Sequence, residues 1–224
     1  MSDNCRHTGD NMNIAQLRRL IDREEVDYQL LLSALSDYAH PRDKITSWLK
    51  SGELVRVKKG LYVFGKEAAL TPYSPEILAN LIYGPSAISL SYALSFYGLI
   101  PERTMTITSI TNKRDKSFTT PVGDFTYRYL TPTKYAVGIE LFSLNEKSHF
   151  LIASPEKALC DHIYLTDKKI KLDTTSDIEH YILDDLRIYE DALNKFRNEL
   201  LSEIAVIYQD TRLIMLEKYI RRLK

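Results

Sequence analysis

An α+β fold in two parts is what this sequence predicts, on three observations. Apolar residues recur three and four positions apart through most of the first fifty residues, the period of a helix. Short β-branched and aromatic runs, set off by Gly, then follow between residues 54 and 144. From Ser154 onward the pattern is helical to the end, so strands and helices do not alternate strictly, which argues against a doubly wound sheet. A length of 224 residues suits two domains, and 44% hydrophobic with 27% charged residues is a globular balance.

The first part reads helix, helix, helix, hairpin. Ile14, Leu17, Leu20 and Ile21 form one stripe of a helix over residues 13–22. Asp27 is placed to cap a second helix carrying Leu30, Leu31, Ala34 and Leu35. Pro41 suits the first turn of a third, whose apolar residues are Ile45, Trp48 and Leu49 and whose stop is Gly52. Two short runs within residues 54–64 flank Lys59-Gly60, where Gly60 can take the positive φ of a tight hairpin turn. Three helices followed by a basic hairpin is the element order of a winged helix-turn-helix, assigned to residues 13–66.

Residues 67–75, with Pro72, Ser74 and Pro75 and little periodicity, read as a linker. The second domain is then 76–224. Pro75 opens a helix through Leu78, Leu81 and Ile82; Ser89 or Ser91 caps another that stops at Gly98. Strands are expected over 104–111 and 124–130, and a weaker one over 138–144. Helices are expected over 155–164, 176–184, 189–200 and 211–223.

Thirty Lys+Arg balance thirty Asp+Glu, which excludes a histone-like cationic coat. The charge is local instead. Residues 42–66 hold seven basic side chains (Arg42, Lys44, Lys50, Arg56, Lys58, Lys59, Lys66) against Asp43 and Glu53. With Ile45, Trp48 and Leu49 turned to the core, Ser47 and Lys50, flanked by Thr46 and Lys44, face outward, as groups that read or clamp a major groove. Arg42 stands near the helix start and can clamp a phosphate, while Arg56, Lys58 and Lys59 arm the hairpin. Asp43 lies on this face too and repels phosphate unless it pairs, caps the helix or accepts from cytosine. A solvated basic face or a protein-docking module is the competing reading.

Segments in both halves of the chain carry a resemblance. Residues 41–45 (Pro-Arg-Asp-Lys-Ile), Ser51-Gly52-Glu53-Leu54 and Lys59-Gly60-Leu61-Tyr62 resemble the N-terminal winged helix of AbiEi-type antitoxins. Ser89-Leu90-Ser91-Tyr92-Ala93-Leu94 with Tyr97-Gly98-Leu99, Thr106-Ile107-Thr108 leading to Gly123-Asp124-Phe125, and residues 152–161 around Ala153-Ser154-Pro155-Glu156-Lys157-Ala158 resemble that family's antitoxin domain. The likeness spans about 13–165, with the 152–161 segment the most specific part. Cys160 stands where an aliphatic residue is usual. The resemblance implies an autoregulatory repressor that binds inverted repeats in its own promoter. It also implies an antitoxin against an AbiEii-like nucleotidyltransferase toxin, in a type IV system that needs no stable complex between the two.

Neutralisation is expected to lie in the second half, from about Tyr73 on. Candidate antitoxin-surface residues are Lys113, Arg114 and Lys116 between two strands, and Glu156, Lys157 and Asp161 on the helix that Ser154 caps. The plainer readings are a soluble loop tip for the first group and an i,i+4 ion pair for the second; a second phosphate contact is the other functional reading of the first group. Residues 173–191 are acidic and the last helix is basic, both compatible with solvated faces. Tyr92, Tyr97 and Tyr127 read as core or rim rather than as base-stacking platforms.

No enzyme is expected. The sequence lacks a dinucleotide-binding Gly pattern, a P-loop, a His-Glu-x-x-His zinc motif and a nucleophile elbow. His7, His40, His149, His162 and His180 are not spaced as metal pairs, so no metal site and no cofactor are expected. Cys5 and Cys160 build no disulfide framework. The enzyme alternative is a metal-dependent nuclease using Asp124, Glu140 and Lys157; the other alternative is a pure protein-interaction module. Residues 1–11 are polar, and no apolar run approaches the length of a membrane span, so neither a signal peptide nor a membrane partner is expected and the compartment is the cytosol.

Overall fold

The computed structural model describes residues 12–223. Cys5, His7 and Lys224 therefore lie outside the described residues. The chain is α+β, and two compact units divide it: Met1–Ile82 with Thr120–Val122, and Tyr83–Thr119 with Gly123–Lys224.

The first unit runs α1 (Ile14–Leu20), β1 (Glu25–Asp27), α2 (Tyr28–Ala34), α3 (Pro41–Ser51), β2 (Leu54–Lys58), β3 (Leu61–Phe64) and α4 (Pro75–Ile82). Its starts and stops are written in side chains. Asn13 and Gln16 exchange bonds in a capping box at α1, and Asp27 accepts the Leu30 N–H at 2.8 Å to open α2. Gly52 ends α3 at φ +78°, the left-handed stop that the sequence predicts. The three strands form an antiparallel sheet in the order β1-β3-β2. Strand β1 was not expected: three residues are too few to show a period. The core is Leu17, Ile21, Val26, Leu31, Leu35, Ile45, Trp48, Leu54, Tyr62 and Phe64.

Residues 67–75 are not a free linker. The Glu24 carboxylate accepts the Leu70 and Thr71 N–H groups at 3.1 and 3.0 Å, and Glu25 accepts that of Ser74 at 2.6 Å. Both acids are buried, and Glu24 is paired at 2.6 Å with Arg18. Segment 67–75 thus belongs to the first unit, and the boundary falls at Ile82 rather than at 75.

The second unit is built on a six-stranded mixed sheet in the order β6-β7-β5-β4-β9-β8. Its strands are β4 (Ser86–Ile88), β5 (Ile107–Thr111), β6 (Lys116–Thr120), β7 (Gly123–Tyr129), β8 (Ile139–Ser143) and β9 (His149–Ala153). Pairs β5·β7 and β4·β9 are parallel, β4·β5 and β8·β9 antiparallel. Helices α5 (Leu90–Phe96), α6 (Pro132–Ala136), α7 (Pro155–Leu165), α8 (Thr175–His180), α9 (Glu190–Leu193), α10 (Asn198–Tyr208) and α11 (Thr211–Arg222) complete it. Helix α7 packs against α5, α10 and α11.

Two expected helices are divided. After α8 the backbone widens into one π-helical turn, Tyr181–Asp185. The helix expected over 189–200 is interrupted over residues 194–197; Arg197 is extended and its N–H is taken by the Glu156 carboxylate at 2.8 Å, so α10 starts afresh at Asn198. No helix among the described residues is long and apolar enough to cross a membrane.

Candidate nucleic-acid interface

Helix α3 presents two faces, and its register sets them. Ile45 and Trp48 are buried, Leu49 is half-buried, and Arg42, Asp43, Thr46, Ser47 and Lys50 are exposed. The exposed group spans two turns of an eleven-residue helix, so donors stand along one outward ridge. Arg42 is held upright by the Tyr28 hydroxyl, which accepts its Nε–H at 3.1 Å. The Thr46 hydroxyl donates to the Arg42 carbonyl at 2.8 Å, leaving its oxygen as an acceptor. Lys44 lies to one side, half-buried with its ammonium 5.4 Å from the centre of the Trp48 ring. Asp43 sits exposed in the first turn, where the helix dipole favours a carboxylate.

The hairpin β2–β3 adds Arg56 and Lys59, both exposed, with the Arg56 guanidinium 5.9 Å from the Tyr62 ring centre. A register shift between Arg56 and Lys58 bends the strand, and Gly60 turns the chain at φ +86°. Lys58 departs from the expected phosphate contact: it is half-buried and its ammonium donates to the Ile82 carbonyl. Arg42, Thr46, Ser47, Lys50, Arg56 and Lys59 therefore remain as the outward set. Tyr28 and Tyr62, which hold two of its cations, carry no sequence signal beyond aromaticity.

In the second unit Lys113, Arg114 and Lys116 are exposed at the β5–β6 turn. Glu156, Lys157 and Asp161 are not on a surface, which corrects that expectation: they are 2%, 0% and 0% exposed. Lys157 Nζ lies 2.5 Å from Asp161 Oδ1 and 2.9 Å from the Lys134 carbonyl, and it also meets the Tyr208 hydroxyl. Ser89 Oγ donates to the other Asp161 oxygen at 2.7 Å, and Tyr208 reaches the same carboxylate. The reason is the packing of α7 against α5, α10 and α11, which turns these charged groups inward, where one another and nearby hydroxyl and carbonyl groups satisfy them. The i,i+4 pair read from the sequence is present, but inside. Burial draws the Lys157 ammonium below its ordinary value while Asp161 opposes that, and burial pushes the Cys160 thiol up, away from a reactive thiolate.

Beside this network Glu156 takes three bonds from Arg197, at 2.8, 3.1 and 3.0 Å, and Arg197 also reaches Glu140 at 2.6 Å. Burial pushes the Glu156 carboxyl up, but the Arg197 bonds together with backbone and Ser154 donors outweigh it, so the group sits below its usual 4.5. A carboxyl lowered in the folded state stabilises above its unfolded value and ceases to as pH falls through its folded one. Acidification below about pH 4.5 should lower the Tm of the wild type more steeply than that of Glu156→Gln. Equal slopes in a calorimetric pH series would refute this.

Among the described residues no cluster of three or more His, Cys, Asp or Glu is placed to hold a metal ion. No protein-family model and no curated protein matches the chain.

Proposed function

We propose that the first unit is a winged helix-turn-helix that docks α3 in the major groove of duplex DNA, and that the chain is an autoregulatory repressor and antitoxin of the AbiEi type. The observation that carries the DNA-binding reading is the outward ridge Arg42, Thr46, Ser47 and Lys50, backed by buried Ile45 and Trp48 and flanked by Arg56 and Lys59 on a Gly-turned hairpin. Ser47 and Lys50 are the base readers; Arg42, Arg56 and Lys59 take phosphates. The order α1-β1-α2-α3-β2-β3 with a three-stranded sheet supports the same reading.

The antitoxin part rests on the resemblance carried by residues 89–99, 106–125 and 152–161. Its partners are promoter inverted repeats and an AbiEii-like nucleotidyltransferase toxin, countered without need of a stable complex. The buried network makes Glu156, Lys157 and Asp161 structural supports of the antitoxin domain rather than contacts.

The test is a gel shift with the DNA upstream of the reading frame, across a salt series. Arg56→Ala with Lys59→Ala should weaken all sequences alike and flatten the slope of log affinity against log salt by about two units. Ser47→Ala or Lys50→Ala should instead erode discrimination between the promoter and unrelated duplex by about 1–3 kcal/mol per lost base contact. Promoter binding untouched by all four substitutions would reject the assignment.

A further inference from the structure

The β5–β6 turn of the second unit carries a second cationic surface, built differently from the first. Lys113, Arg114 and Lys116 are exposed, and so is the one acid among them, Asp115, but its carboxylate is engaged. Asp115 accepts Arg128 Nε–H at 3.1 Å and the Tyr129 N–H at 2.6 Å. The acid is thus paired with Arg128 and the backbone of the neighbouring strand, and the three exposed cations stand beside it without a carboxylate partner of their own among the described ion pairs.

Aromatic rings stand among those cations. Lys113 and Lys116 Nζ lie 5.6 and 5.8 Å from the Tyr83 ring centre, and Lys116 lies 5.3 Å from that of Phe118. Tyr83, Phe118 and Tyr127 pack edge to face or tilted at 5.2 to 5.9 Å. Lys113 also donates to the Gly84 carbonyl, and the Tyr83 hydroxyl to that of Arg114 at 3.3 Å. The turn is thereby fixed to a rigid aromatic base. Alternation along β7 puts Tyr129 on the same face as buried Tyr127, and Tyr129 is 46% exposed. Phe118 and Tyr83 are half-buried.

We propose that this turn, with Tyr129 and Phe118, binds single-stranded nucleic acid: Lys113, Arg114 and Lys116 take successive phosphates and the rings take a base. A duplex offers phosphates but no base faces, so a purely duplex contact would use the cations and leave the aromatics idle; the pairing of both groups is what a single strand engages. The site uses residues of the second unit alone and does not depend on how the α3 ridge is read.

The test uses the full chain and fluorescent twelve-nucleotide oligo-dT and oligo-U, with a twelve-base-pair duplex beside them. Tyr129→Ala should weaken single-strand binding roughly 5- to 150-fold and leave the salt slope unchanged. Lys113→Gln, Arg114→Gln and Lys116→Gln together should flatten that slope by about two units. Arg56→Ala with Lys59→Ala should leave single-strand affinity within about twofold while it weakens the duplex, so failure here and failure of the α3 assignment read out separately. Should the triple variant misfold, as judged by its melting curve, Tyr129→Ala decides alone, its side chain being exposed. The proposal is overturned if neither single strand binds at low salt. It is equally overturned if Tyr129→Ala binds them as the wild type does, or if the Arg56 and Lys59 changes abolish single-strand binding.

Discussion

Lys157→Met should lower the unfolding free energy by roughly 3–5 kcal/mol, the cost of leaving one partner of a buried ion pair alone. Lys157 and Asp161 are both fully buried, and the ammonium contacts the Asp161 carboxylate, the Tyr208 hydroxyl and the Lys134 carbonyl. Removing it strands the Asp161 charge with the Ser89 and Tyr208 hydroxyls as its side-chain donors among the described residues. The Tm should fall by roughly 6–20 °C. Asp161→Leu should cost a similar amount for the mirror-image reason, since the ammonium then lacks its counter-charge. The double variant, Lys157→Met with Asp161→Leu, should be less destabilised than the sum, because apolar groups of similar volume need no partner. Urea titration of the four proteins closes the cycle; strictly additive losses, or a single-variant loss under about 1 kcal/mol, would show that the pair is not coupled as the geometry requires.

Helix α7 also shows where sequence reading stops. Its start was legible, because Ser154, Pro155 and Glu156 are local signals, and Ser154 does accept the Lys157 N–H at 3.2 Å. Its environment was not. Charges four apart read as a solvent-facing pair, and only the packing of α7 against α5, α10 and α11 turns them inward; their partners Ser89, Lys134 and Tyr208 lie 23 to 72 positions away. The same holds for residues 67–75, which have no period of their own and are ordered by Glu24 and Glu25 almost fifty residues earlier. Helix α3 was the opposite case. Pro41, the i, i+3, i+4 spacing of Ile45, Trp48 and Leu49, and Gly52 are all local, so both its limits and its outward ridge could be read directly. Lys58 failed within that legible region because its carbonyl partner, at Ile82, is 24 residues on. Strands β4 and β9 escaped for different reasons: β4 is three buried residues with no alternation, and β9 abuts the stronger signal of Ser154-Pro155.

Gly65→Ala should destabilise the first unit by roughly 3 kcal/mol or more, at the upper end of what overpacking costs. Gly65 follows β3, and its N–H donates to the Glu53 carbonyl at 2.8 Å. A methyl group on its Cα would stand 1.8 Å from the Gly52 carbonyl oxygen and 3.2 Å from the Glu53 carbonyl carbon. Every atom in the way is backbone, so no side chain can rotate aside. Moving Gly52 would disturb the left-handed turn that ends α3 and leads into β2. The relief of the clash therefore falls on the junction that orients the outward ridge against the hairpin. Loss of stability should appear with amide exchange quickening across α3, β2 and β3, and, on the proposed DNA-binding reading, with loss of duplex binding. Gly60→Ala supplies the contrast. Gly60 also turns the chain, at φ +86°, but a Cβ there meets nothing within 4 Å, so the substitution should cost only the conformational strain, about 1–2 kcal/mol. Gly65→Ala no more harmful than Gly60→Ala would mean that β3 does not approach the end of α3 as closely as the backbone contacts require.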